Sequence, residues 1–458
     1  MNDYWLLIVL YSIVGLTVLV ATFLNYLRER KLTGILIVRV MFFIIYSVVP
    51  ISTLIAVNNG SLAYKMRALD LSSNGINELL LMSVFSLIGF ISLEIGYRTN
   101  YKIVVRRKST YGFSHSHFER DFSSRGLNSA AILMSVISIV ALFMWSAPFG
   151  GISGVVQYGR VIRSGYTIDG ISNSMGFMKH FVPFGLFASV IFLALYRTEK
   201  RAIYLIEFLV MFAVSVIYSV ANDGRAPFVM YLVSLYILWR TTTKNKFVRK
   251  SKLWIIIAVV IAYLLISNMD NILSLLRTGN YGTEQTDSGF FLFFADEFSF
   301  TVRNAQSCQE ALRSGETFRI FKDITAACFS LLPSRFTPEG VEKLQTINTK
   351  YWMGNQIYYG GKPTDLMAAS LYELWYFGII IWPFVYGVVV KKLDKYFENL
   401  RDAVYGKILF VQLIYQFAKT VGYADLSLIV LNVFYLMLCH IIVLMFCPKL
   451  GKSQSNPG

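Results

Sequence analysis

Charge is what this chain has least of. Only 15% of its 458 residues are charged while 55% are hydrophobic, and its mean hydropathy is positive. A soluble domain of that composition would lack the polar surface needed to face water, so the chain reads as a polytopic membrane protein. Acidic residues are the scarcer sign, 27 against 43 lysines and arginines. The basic excess sits in short segments between apolar runs, as membrane topology demands, and this argues against a nucleic-acid partner. Four cysteines have no metal-ligand spacing and four histidines are scattered, so neither a zinc nor a haem site is indicated. Cys308 and Cys328 share one long polar stretch, where a disulfide and two separate thiols are both open. No removable signal peptide is evident, because the first apolar run is long enough to span and is followed directly by Arg28, Glu29, Arg30 and Lys31. No heptad, solenoid or other short repeat stands out.

What the chain has in abundance is apolar runs. A membrane helix needs about 20 mostly apolar residues, and on that rule about eleven spans are expected, at 4–27, 33–57, 79–97, 127–148, 177–196, 202–220, 227–240, 253–268, 366–390, 407–421 and 427–447. The seventh and tenth are short, which suits a tilt or a re-entrant turn. Residues 1–267 would hold spans one to eight, 268–365 a large extracytoplasmic helical loop, and 366–458 spans nine to eleven with a cytoplasmic tail. Lysine and arginine fill every second connection, among them Arg28 to Lys31, Arg98 to Arg125, Arg240 to Lys252 and Lys391 to Lys407. The opposite set holds only Lys65, Arg67, Arg160, Arg163 and Arg225 outside the long loop. The positive-inside bias then puts the amino terminus and the long loop outside and the carboxyl terminus in the cytoplasm.

The stretch from about Ser267 to Asp365 leaves the membrane and stays polar. It carries Asp287, Asp296, Glu297, Arg303, Arg313, Arg319, Arg335 and Lys343, interleaved with Phe290, Phe291, Phe293, Phe294, Phe298 and Trp352. That composition buries one face and wets the other, as a docked lid does, and polar loops of this length tend to be functional.

Positive residues on the expected outer side oppose the topological bias. Arg225 sits in Ala221-Asn222-Asp223-Gly224-Arg225-Ala226-Pro227, a turn barely long enough to reverse the chain. It is either a snorkelling residue or a fixed fork for phosphate oxygens, a task that suits arginine better than lysine. Arg160 and Arg163 share a face if residues 155–164 are helical, which suits an anionic ligand or lipid phosphates equally. Lys179 and His180 begin a span from the same side and Lys419 ends another, so with Arg225 they would ring the outer mouth. A lone histidine there is more often a structural hydrogen-bonder than a base. Three carboxylates fall inside spans, Glu94, Glu207 and Glu373, with Arg39 as a candidate partner. Glu94 and Glu207 lie near cytoplasmic ends and can reach the interface. Glu373 lies in the outer third of its span and is a functional candidate by default, with a bridge to Lys419 as its bland alternative.

With these residues in view, the chain resembles the Wzy-type oligosaccharide repeat unit polymerases of O-antigen and capsule synthesis, which share an architecture with O-antigen ligases. The likeness rests on Asn222-Asp223-Gly224-Arg225-Ala226, on Gly360-Gly361-Lys362-Pro363 followed by Ser370-Leu371-Tyr372-Glu373-Leu374-Trp375-Tyr376-Phe377-Gly378, and on the plan of many spans with one large late outer loop. The resemblance implies a GT-C-like glycosyltransferase of the bacterial inner membrane, needing no metal or other cofactor. It would act on undecaprenyl-diphosphate-linked oligosaccharides, with membrane lipid, a chain-length regulator and a flippase as candidate partners. Arg225 with Arg160 or Arg163 would grip diphosphate, helped by Lys179 and Lys419. Glu373, or His180 as a second candidate, would take the acceptor proton, and Trp352, Tyr358 and Tyr359 would stack on sugar rings. The rival reading is a lipid-linked oligosaccharide flippase, which would gain little from a single large lid and would be expected to show paired halves. A ligase shares the chemistry and stays open.

Overall fold

The computed structural model describes residues 2–29, 33–58, 69–99, 122–159, 162, 175–222, 225–242, 271, 274–275, 298–332, 336–353, 361–399 and 403–447. Among them every regular element is helical. In chain order these are α1 (Asn2–Glu29), α2 (Gly34–Asn58), α3 (Ser73–Arg98), α4 (Ser124–Ser146), α5 (Ile152–Gln157), α6 (Phe184–Glu199), α7 (Ala202–Ala221) and α8 (Arg225–Thr242). After them come α9 (Phe300–Arg313), α10 (Ile320–Phe329), α11 (Leu344–Trp352), α12 (Leu366–Asn399), α13 (Val404–Gly422) and α14 (Leu426–Phe446).

Eight helical stretches among the described residues are long and apolar enough to cross a bilayer: 3–27, 34–58, 73–98, 124–149, 176–199, 202–221, 366–398 and 426–446. They present large apolar side chains outward, including Leu16, Phe23, Phe143, Ile206, Phe377 and Met445. Exposure of this kind over whole helix faces suits hydrocarbon, and helices are the open-chain structure that satisfies its own backbone there. The chain is an all-α polytopic membrane protein. Helices α8 and α13, of 18 and 19 residues, occupy the expected spans at 227–240 and 407–421 and pack on each other within the bundle, but neither is among these eight. The expected span at 253–268 lies outside the described residues.

Two cores divide the bundle. One joins α1, α2, α3 and α12 and includes Tyr11, Phe42, Phe90 and Tyr372; the other joins α4, α6, α7, α8 and α14 around Phe187, Phe192 and Ile408. Helix α13 contributes to both, Phe417 and Val421 to the first and Ile408 to Ile414 to the second. The tightest pairing is α12 on α3. A side chain at Gly387 would collide with the Leu93 carbonyl and one at Gly96 with that of Phe384. In lipid, where apolar burial gives helices little reason to associate, such close backbone approach supplies the packing. Ser92 adds a hydroxyl bond to the Ile380 carbonyl at 2.6 Å.

Inside α2 the π-turn Ile44–Val48 precedes Pro50, which has no amide to donate. One turn earlier Arg39, fully buried, forms a two-pronged pair with Glu94 of α3 at 2.7 and 2.8 Å. Of the three expected intramembrane carboxylates, Arg39 pairs with this one. At the same side of the bundle Asp394 of α12 accepts the Gly34 and Ile35 amides at 2.6 and 3.2 Å, satisfying the start of α2.

The late segment forms a cap on one end of the bundle. Gln306 of α9 donates to the Asp70 and Gly75 carbonyls at 2.5 and 3.2 Å and accepts the Asp70 amide at 3.0 Å, fixing the cap to the start of α3. Arg313 pairs with Glu78 on the same helix. Asn304 donates to Asp365 at 3.0 Å and to the Pro363 carbonyl at 2.9 Å, while Tyr46 donates to the other Asp365 oxygen at 2.6 Å. Asn348 of α11 donates to Asn304 at 2.8 Å and to the Lys362 carbonyl at 3.1 Å, and it accepts from Ser307 at 2.9 Å. Tyr46, Asn304, Gln306, Ser307, Asn348 and Asp365 are all buried, so the bonds among them remove a desolvation cost. Cys308 is buried in α9 and Cys328 exposed on α10, both as free thiols.

Replacing Arg39 by methionine leaves Glu94 only the exposed Arg98 at 3.5 Å and should cost up to about 3–5 kcal/mol, whereas Arg39→Met with Glu94→Leu should recover most of that loss. Thermal unfolding in nanodiscs checks this, and equal losses in the single and double variants would contradict it.

Candidate functional site

Helix α12 is interrupted eight residues after it starts. Leu374 (φ −136°, ψ 23°) and Trp375 (φ 54°, ψ −150°) leave helical geometry, and the break frees the Tyr372 carbonyl from its intrahelical partner. A buried carbonyl must find another donor, and here it accepts the Arg319 amide from the start of α10 at 3.0 Å. Gly378 then passes so close to the Ser370 carbonyl that any side chain there would clash.

Glu373 stands immediately before this break and is fully buried. Neither of its carboxylate oxygens, nor Asp323 Oδ2 on α10, has a hydrogen bond of regular geometry. The two carboxyl groups lie close enough to interact with each other. Arg319 donates to Asp323 Oδ1 at 3.2 Å and to Glu316 at 2.7 Å. Asp425, also within electrostatic reach, spends its oxygens on backbone amides: Ser427 and Leu428 at 2.7 and 3.3 Å, which cap α14, and Gln345 of α11 at 2.8 Å. Burial pushes the Asp323 carboxyl above its ordinary range, and the Arg319 guanidinium only partly pulls it back. Facing carboxyls that cannot both ionise cheaply form a proton-holding pair.

Beside this cluster an open groove of about 190 Å³ runs between α6, α7, α14 and the turn that follows α10. Its polar wall is Lys179, His180 and Asn432; its apolar wall includes Phe181, Phe184, Leu331, Leu428, Leu431, Phe434 and Leu438. Asn432 accepts from Lys419 at 3.4 Å, so of the four expected rim residues Lys179 and His180 line the groove and Lys419 stands behind Asn432. Lys179 also lies over the Trp145 ring at 5.7 Å, and Lys343 of the cap is within electrostatic reach of His180. Arg225 opens α8 a short connection beyond Tyr218, which lines the groove, although its own side chain falls outside the description.

The other expected site residues separate. Arg160, Arg163, Tyr358 and Tyr359 lie outside the described residues. Trp352 is buried, with Lys362 over its ring at 4.6 Å. Glu373 has the carboxyl pair rather than Lys419 as its neighbourhood, since Lys419 turns to Asn432. Sequence reasoning passed over Asp323, Asp425 and Asn432. Arg319 and Asp323 at i,i+4 spacing and Asp425 directly before an apolar run were the available signals. Asn432 had none.

Because the folded state holds the Asp323 proton more tightly than the unfolded chain, the acid contributes stability at low pH. That contribution is lost as pH rises above the ordinary carboxylate range. Asp323→Asn should therefore raise the melting temperature at neutral pH and flatten its pH dependence, as read by thermal scans from pH 4 to 8; an unchanged slope would place the titration elsewhere. No family model, curated protein or solved structure matches this chain.

Proposed function

We propose that this protein polymerises undecaprenyl-diphosphate-linked oligosaccharide repeat units on the outer side of the bacterial cytoplasmic membrane. The observation that carries the reading is the groove, where a cationic and amide-bearing wall at the cap end continues into a hydrocarbon-lined wall along α14. Such a surface suits an amphiphile with an anionic head and a long apolar tail. The alternation of basic segments supports a cap facing away from the cytoplasm.

In this reading the acceptor's sugar hydroxyl attacks the anomeric carbon of the donor, the carbon–oxygen bond to phosphate breaks, and undecaprenyl diphosphate leaves with the bonding electrons. The hydroxyl proton passes to a base and the glycan grows at its reducing end. Lys179, Lys419 and Arg225 stabilise the departing diphosphate, as fixed cations in a partly dry site do strongly. His180 is exposed on the groove wall and can meet an acceptor directly. Glu373 is sealed beneath α10, so an acceptor would reach it only if that helix shifted.

Purified protein in nanodiscs, given a defined lipid-linked repeat unit without metal or nucleotide, should yield a ladder of polymer. Arg225→Ala and His180→Ala should each lower its rate by roughly 10²–10³-fold, with protein levels unchanged. An unaltered ladder from both variants would remove this mechanism. Transbilayer movement of the substrate without chain growth would make the protein a flippase, and transfer only to lipid A core a ligase.

A further inference from the structure

Helix α10 has its polarity reversed for a water-facing helix. Its inward face carries Asp323, Ala326 and Ala327, all buried, while Phe321 is 79% exposed and Ile324 47% exposed on the outward face. The reversal continues past both ends, with Phe318 and Leu332 about half exposed. A surface helix in water places its apolar stripe against the protein. This one does the opposite, and it does so beside helices whose outward faces are already apolar.

That continuity identifies the occupant. Helix α10 packs on α14 and α12, and the Phe318 ring lies 6.4 Å from that of Trp375. Trp375, Tyr376 and Phe377 are exposed at the break of α12, and Ile380 and Ile381 carry the apolar strip onward along that span. Aromatic residues mark the boundary between headgroups and acyl chains. Lys322, also exposed, has the long stem that lets a cation reach phosphate from such a depth. We propose that α10 is an in-plane interfacial anchor, with Phe321 and Ile324 immersed in bilayer lipid and the cap resting on the membrane through it rather than standing clear in water. The inner face of α10 then holds Asp323 against Glu373 while its outer face touches lipid, so bilayer composition bears on the position of the carboxyl pair. This goes beyond the polymerase reading and does not require it.

Cys328 provides a handle, because it is exposed on α10 and the other three cysteines are buried. A nitroxide on Cys328, and one on Phe321→Cys in a Cys328→Ser background, would be examined in nanodiscs holding one copy of the full chain. Collision rates with oxygen, which partitions into lipid, and with a water-soluble nickel chelate are compared at each site. At Phe321→Cys the oxygen rate should exceed the nickel rate several-fold, with the ratio inverted at Lys350→Cys on the exposed face of α11. A nickel-dominated rate at Phe321→Cys would put α10 in water and overturn the proposal. Low rates for both reagents would mean protein covers the face and would overturn it equally. No substrate is present, so either outcome stands apart from the success or failure of the polymerisation assay.

Discussion

The buried bond between Asn304 and Asp365 is the constraint on which the rest of the cap depends. Asp365 is almost wholly enclosed and is held from one side by Tyr46 of a membrane helix and from the other by Asn304 of the cap. It also accepts the Met367 and Ala368 amides at 3.1 and 3.2 Å, so the same carboxylate starts α12. With Asn348 extending the chain into α11, the start of a span and the seat of the cap become one polar object. Asp365 accepts four of these bonds, and Asn304 also bonds Pro363 and Asn348, so the links share partners and reinforce one another.

Once α12 is fixed at its start, its break is fixed too. The turn at Trp375 has positive φ without glycine, a conformation that costs on the order of 1–3 kcal/mol and survives only where surroundings enforce it. The Arg319 amide on the Tyr372 carbonyl compensates the break and ties it to α10. Glu373, Asp323 and Arg319 are thus brought together by backbone geometry before their charges are considered. Asp425 joins them because it both caps α14 and accepts from Gln345 of α11.

The sequence announced the membrane helices because long apolar runs have few other physical solutions. Lys179, His180 and Lys419 were also legible as a group, since membrane topology alone puts their helix ends on one side. The docking of the cap was not legible. Asn304 and Asn348 stand in amphipathic stretches where asparagine commonly faces water, and their partners are distant in the chain. The break at Leu374 and Trp375 lacked a cue because neither residue is glycine or proline, and the bond that compensates it comes from 53 positions earlier. The pairing of Arg39 with Glu94 over Glu207 or Glu373 likewise depends on which helices touch, a matter that spacing along one helix does not decide.

The glycine-lined contact between α3 and α12 has a consequence for biogenesis. Helix α3 is complete by Arg98, yet the helix that fills its groove does not begin until Leu366. At roughly 5–20 residues per second of synthesis the interval is on the order of tens of seconds. Throughout it, the nascent chain keeps Gly89 and Gly96 turned to lipid or to an insertion chaperone. Co-translational assembly of this half of the bundle is therefore gated by the last fifth of the polypeptide, and the surface most in need of guarding on the way is the one that ends up most tightly closed.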